Sequence, residues 1–328
     1  MSTMRIRFAA VITSIPFCIL GNPVGHGQPT AEATASAVLF RRFEAVAYSR
    51  TDLLSELRVR PQGQVDGTNY LELPYAEWME GLGKIGSNAE RDLERSYSSL
   101  LVGAMEFGGE VGLGPGPDGL GMVNSRKCYV ATLESGREPD LRQDFAGASI
   151  QTIDEVPVWV WTVPAEGGVT NAVTFYAAQV GGTYFVLANN RPDFQIVITS
   201  LSPAGNSAPA VPNVVGWETL SGADYWLYRS FRRAGVTSPD AAGINGLTPD
   251  VTTLIFYADA GDKQGFVQVL SSDITKNSAP NVLRKLAPDR FQPQGAGLWQ
   301  ATIQLSRGGA DADTMLELLY RFGFGVAL

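Results

Sequence analysis

The chain is poor in the residues that carry most common enzyme chemistry. Its 328 residues include one histidine, His26, and two cysteines, Cys18 and Cys128. A Ser-His-Asp or Cys-His nucleophile needs an imidazole beside it, a structural zinc site needs three or four nitrogen or sulfur ligands, and a disulfide framework needs paired thiols. Positive charge is also short, at 25 Lys and Arg against 33 Asp and Glu for a net charge of -8. A broad nucleic-acid surface concentrates cations, so nucleic acid is not an expected partner. No Ser-x-x-Lys pair occurs to supply a histidine-free serine nucleophile. The apolar run from Phe8 to Gly21 is too short for a membrane span.

What is present begins with that run. Arg5 and Arg7 precede it, and a small, polar stretch, NPVGHGQPTAEATASA, follows it. This is the three-part layout of a secretory signal. Residues 1–27 are therefore expected to be a signal peptide, with cleavage after Gly27, Ala33 or Ala37. Pro16 inside the run disfavours its packing as a core helix. Bulky Phe17 before Cys18 disfavours lipidation of that cysteine. After cleavage no transmembrane helix is expected, and the location is periplasmic or extracellular. Cleavage at Gly27 or later removes His26 and Cys18, so the mature domains would run on one isolated thiol, Cys128, and no imidazole.

Gly 36 and Pro 19 favour short strands and tight turns. Residues 28–121 read as a mainly helical region: Val38, Leu39, Phe43, Val46, Leu53, Leu54 and Leu57 have rough helical spacing, and Ser87-Asn-Ala-Glu90 is a capping box before apolar Leu93, Tyr97, Leu100, Leu101 and Met105. Seven glycines and two prolines in residues 108–121 mark a linker. Its Gly-rich run lacks the Gly-Lys-Ser/Thr ending of a phosphate-binding loop.

Beyond it the pattern becomes β-rich. KCYVATL (127–133), VPVWVWTV (156–163), and the segments 169–178 and 184–188 read as strands, with Gly181-Gly182 as a hairpin turn and a helix over 191–201. In the second half a helix is expected from Ser221 to Arg233, strands over 251–258, 266–270 and 298–305, and helices near 279–287 and 313–322. Phe175-Tyr176-Ala177 followed by Phe185-Val186 recurs as Phe256-Tyr257-Ala258 followed by Phe266-Val267. The repeat divides the C-terminal part into two related strand–hairpin–helix units, 122–210 and 211–328. The expected fold class is α+β, mostly antiparallel with packed helices and a helical N-terminal region.

The strings TFYAAQVGGTYFVLANN, YWLYRSFRRAG, AAGINGLTPDVTTLIFYADAGDKQGFVQVLSS and LYRFGFGVAL resemble a group of exported bacterial proteins of uncharacterised function, over residues 125–328. The resemblance implies an α+β fold and export, and it transfers no active site.

Trp159 and Trp161 share one strand face and offer either a sugar-stacking platform or core aromatics. Tyr225, Trp226, Arg229, Arg232 and Arg233 form the one basic aromatic run, which suits an anionic ligand or a helix C-terminus. Asp154, Glu155, Glu166, Asp193, Glu218 and Asp224 are the carboxylates near element ends from which a glycoside-cleaving pair would be drawn. No catalytic residue, metal site or cofactor is expected. The sequence points first to an exported, non-enzymatic binding or structural component of the cell envelope, with an envelope protein or a glycan as partner. The alternatives are a carboxylate-based hydrolase acting on a glycan and an outer-membrane-associated protein.

Overall fold

The structure is a computed structural model, and it describes residues 30–50, 64–65, 68–69, 97–106, 125–134, 141–145, 147–163, 172–203, 211–230, 251–259, 264–271 and 291–304. The expected signal peptide, the Gly-rich linker, the capping box at Ser87 and the helices expected near 279–287 and 313–322 lie outside these residues.

In chain order, helix α1 (Ala31–Arg42) precedes strand β1 (Ala45–Arg50), and β2 (Gln64–Val65) with β3 (Thr68–Asn69) forms a small ladder of its own. Then come β4 (Tyr97–Glu106), β5 (Ser125–Leu133), the single turn α2 (Leu141–Asp144), β6 (Ser149–Ile153), β7 (Val156–Val163), β8 (Val173–Val180), β9 (Tyr184–Ala188) and α3 (Arg191–Leu201). The turn α4 (Trp217–Leu220), β10 (Tyr225–Ser230), β11 (Val251–Asp259), β12 (Gln264–Ser271), β13 (Gln292–Gly295) and β14 (Leu298–Gln304) complete the order.

Twelve of these strands form one sheet, in the order β13-β14-β12-β11-β10-β1-β4-β5-β9-β8-β7-β6, with every neighbour antiparallel. This corrects the α+β expectation. Among the described residues the protein is a large antiparallel sheet with few helices, and in the described part of residues 28–121 one helix, α1, stands beside strands β1 to β4 where a helical region was expected. The N-terminal region supplies β1 and β4 to the middle of the sheet. Val46 pairs with Tyr228 on one side and Gly103 on the other, so β1 joins the two halves of the ladder.

The physical reason for the error is burial on both faces. In β4 the residues Leu100, Leu101 and Val102 are all buried, as are Tyr225 to Arg229 in β10. A strand covered on both sides loses polar alternation, and its apolar residues then match a helical template by accident. That is why Tyr97–Met105 and the start of the Ser221–Arg233 segment read as helices although both are strands.

One face carries the helices. Thr30 caps α1 by accepting from the Ala33 N–H at 3.2 Å, with Glu32 in the first turn and Arg41 and Arg42 in the last, each complementing the helix dipole. Val38 and Leu39 of α1 and Phe194, Val197 and Ile198 of α3 pack with Val46, Leu101, Val130, Val186, Trp226 and Tyr228 of the sheet. Phe40 stacks on Trp226 at 5.7 Å and meets Tyr228 edge-on at 5.0 Å. On the opposite face Tyr129, Phe185, Leu187, Leu227 and Phe256 are also buried.

The repeated letters do not occupy equivalent positions. In the first hairpin Phe185 pairs with Gln179, whereas in the second Phe266 pairs with Tyr257. By strand alternation Phe185 lies on the face of Phe175, and Phe266 lies on the face opposite Phe256. Gly181 and Gly182, at φ 60° and 68°, do make the expected turn between β8 and β9.

Candidate functional site

The residues singled out from sequence fall into two separate places. Trp159 and Trp161 lie on β7, near the β6 edge. Trp159 is 8% exposed and Trp161 is half-buried. Phe175 stacks on Trp161 at 5.5 Å, while Phe145, just after α2, sits 5.6 Å from Trp161, 6.0 Å from Trp159 and 5.8 Å from Phe185. Phenyl rings therefore crowd Trp161, where a sugar platform needs an open ring face. Both indole N–H groups are buried and have no hydrogen-bond acceptor among the described residues.

Tyr225, Trp226 and Arg229 lie on β10 beside the central strand, all buried. Tyr225 packs edge-on against Phe256 at 5.7 Å on one face. Trp226 packs between Phe40 and Tyr48 on the other, with Trp217 of α4 at 6.0 Å. Tyr225–Ser230 is a core strand, so the helix-dipole role does not apply to Arg229. Arg232 and Arg233 lie outside the described residues.

Among the described residues, the arrangement with the most concentrated charge centres on a residue that sequence reasoning treated only as one carboxylate among many. Asp193 is 0% exposed, in the first turn of α3. Asn190 caps that helix by accepting from the Asp193 N–H at 3.2 Å, and Pro192 stands in the first turn, where its missing donor costs nothing. The Asp193 carboxylate accepts from Arg126 Nε at 2.6 Å, from Arg126 Nη2 and from Arg42 Nε. Asn190's neighbour Asn189 accepts from the Lys127 backbone N–H at 2.8 Å. The cluster ties the end of α1, the start of β5 and the start of α3 together. The signal in the sequence was the Asn-Arg-Pro-Asp string, a helix start with an acidic third residue.

Three further aspartates are also engaged. Asp224 pairs with Arg50 at 2.9 Å, and Asp259 accepts from the Asp224 backbone N–H at 3.3 Å. Asp154 and Glu155, both at positive φ (49° and 66°), are the turn between β6 and β7. Asp154 accepts from Thr199 Oγ at 2.8 Å and from Gln195 Nε2 at 3.3 Å, which pins that turn to α3. Glu218 is exposed on α4, and Glu166 lies outside the described residues.

Cys128 is buried beside this cluster, and desolvation, with the negative charge of Asp193 second, pushes its thiol well above the ordinary range. Burial likewise raises Tyr225, Tyr228 and Tyr257. Tyr184 is raised by burial, partly countered by a hydrogen bond with Thr34; its hydroxyl donates to the Ala31 carbonyl at 3.0 Å. Among the described residues no group of three His, Cys, Asp or Glu is placed to hold a metal ion, and no helix is long and apolar enough to cross a membrane.

No protein-family model matches the chain, and no curated protein matches it. Among solved structures it is similar to crystal form I of TP0453, with 8% identity and a TM-score of 0.45, over 89% of this chain and 97% of that one. It is similar to crystal form III of the same protein with 8% identity and a TM-score of 0.44, over 85% and 94%.

Proposed function

We propose that the protein is an exported, non-enzymatic binding or structural component of the cell envelope. The observation that carries this reading is the use to which the structure puts its carboxylates. Asp193 and Asp224 are held by arginines, Asp259 accepts a backbone N–H, and Asp154 holds a turn onto α3. A glycoside-cleaving pair instead needs two carboxyls facing each other across open space, one to give a proton and one to attack or activate water. The crowding of Trp161 by Phe145 and Phe175 removes the sugar platform that the hydrolase reading also needed.

Export rests on the Arg5-to-Gly27 layout, and helix α1 sharpens the cleavage position. Ala33 and Ala37 lie inside α1, so a cut after either removes the Thr30 cap and the start of the helix, and a cut after Ala37 also removes the packing of Ala35. A cut after Gly27 leaves α1 whole. The test is to fractionate the source cells and sequence the N-terminus of the envelope-associated protein. A start at Gln28 supports the reading; an intact Met1, or a purely cytoplasmic location, overturns it.

A further inference from the structure

The two ends of the sheet are built differently. At one end β13 carries Pro293, which cannot donate to a ladder, and a register shift before Gly295. Positive-φ residues Gly295, Ala296 and Gly297 follow at once. Proline and irregular pairing are standard protection for an edge strand. At the other end β6 has neither. Its sequence is Ser-Ile-Gln-Thr-Ile, it pairs residue for residue with β7, and it has no charge and no proline. Ser149, Ile150, Gln151 and Thr152 are exposed, Ile150 at 60%. This is a flat, neutral, β-branched edge on a chain of net charge -8.

We infer that β6 pairs antiparallel with β6 of a second copy of this chain, across a two-fold axis at Gln151. The hairpin geometry sets the register. The two-residue turn Asp154-Glu155 makes Ile153 and Val156 the closing hydrogen-bonded pair, so Ser149, Gln151 and Ile153 turn their backbone groups toward β7. Ile150 and Thr152 then turn theirs outward. A two-fold at Gln151 sets Ile150 opposite Thr152 of the other copy, and each outward N–H and C=O meets its complement. Gln151 faces Gln151, and the same sheet already shows what such a pair does. Gln268 and Gln300, directly opposite on β12 and β14, join through Nε2 and Oε1 at 2.9 Å.

Charge selects the same register. The nearest carboxylates, Asp154 and Glu155, fall opposite Ala148 and Gly147 of the other copy, so like charges do not meet. The contact is isologous, as a two-fold requires, and it closes after two copies. With five residues from each chain it belongs with small, weak interfaces.

The test is sedimentation velocity on the wild-type chain from low micromolar to near-millimolar concentration. A concentration-dependent monomer–dimer equilibrium is expected. Gln151→Lys and Gln151→Glu, each alone, place like charges face to face and should be monomeric at every concentration. An equimolar mixture of the two should dimerise at least as well as wild type. Thr152→Pro removes an outward N–H and should also be monomeric, with an unchanged circular dichroism spectrum and melting temperature. A wild-type chain that stays monomeric throughout overturns the inference, as does a dimer indifferent to Gln151→Lys. A charge pair that fails to associate on mixing overturns the two-fold register.

Discussion

Arg126 Nε donates to Asp193 Oδ2 at 2.6 Å, which locks the first turn of α3 to the start of β5. Arg42, from the last turn of α1, donates to the same carboxylate. A fully buried carboxylate is costly unless it is paired and hydrogen-bonded, and here two guanidinium groups from different elements do both. Asp193→Asn keeps the shape and removes the charge. It should cost about 2–4 kcal/mol, toward the lower end because Arg42 and Arg126 are themselves partly exposed and regain water. Urea unfolding should show a lower midpoint with an unchanged slope. A variant as stable as the parent would mean that the packing of α1 and α3, not this charge, holds the helices on the sheet.

Gly103 and Phe43 make a second long-range lock. A Cβ on Gly103 would lie 2.7 Å from Phe43 Cγ, closer than side-chain atoms approach. Phe43 ends α1 in an extended conformation and is buried, so its ring has little room to withdraw. Gly103→Ala is expected to destabilise the protein by about 1–3 kcal/mol through overpacking. Phe43→Ala leaves a cavity that the new methyl enters. The double variant should therefore be more stable than the sum of the single effects implies, a positive coupling read from a double-mutant cycle in urea.

How much of this was legible depends on how many faces an element buries. The helix over 191–201 was readable because Asn190 and Pro192 mark its start and its outer face is polar. The strands at 127–133, 156–163 and 184–188 were readable from β-branched and aromatic content. Strands β1, β4 and β10 were not, because burial on both faces erases alternation, and Tyr97, Leu100, Leu101 and Met105 then fit a helix by spacing alone. The single-sheet architecture was beyond local reading for the same reason. The pairing of Val46 with both Tyr228 and Gly103 joins residues far apart in the chain, and no spacing rule encodes it. The FYA strings promised equivalent hairpins, but register is set by the turn, and the two turns differ. At the candidate site the acidic residues could be counted in the sequence, but their arginine partners could not be assigned.

Trp159 gives a test of what its buried indole contributes. The ring packs against Phe145 and is 8% exposed, so Trp159→Ala should cost about 3–5 kcal/mol. Trp159→Phe should cost far less. It loses volume, but it also removes an N–H that has no acceptor among the described residues, and a buried unpaired donor carries a penalty of about 1–3 kcal/mol. Chemical unfolding of the two variants separates the terms. If phenylalanine is as damaging as alanine, the N–H has an acceptor in solution and the ring is held by it.

Cys128 and Tyr225 predict how stability responds to alkali. Burial raises the Cys128 thiol above its ordinary 9.0 and the Tyr225 phenol above its ordinary 10.0. As pH climbs past 9, the unfolded chain loses these protons first while the folded chain retains them. The unfolded state then binds fewer protons, so unfolding free energy falls with pH, by about 1.4 kcal/mol per pH unit for each group at full slope. The contribution is complete below the ordinary values and disappears as pH rises toward the folded ones. Melting temperature should therefore be flat from pH 7 to about 8.5 and fall steeply above it. Cys128→Ala should reduce the slope that begins near 9, and Tyr225→Phe the slope that begins near 10, whatever either does to stability at neutral pH. The same burial predicts that a thiol reagent labels Cys128 only on global unfolding, with a labelling rate that tracks urea concentration. Rapid stoichiometric labelling of the native protein at pH 8 would show that β5 opens locally, and the alkaline slope would then belong to the buried tyrosines, Tyr225 among them.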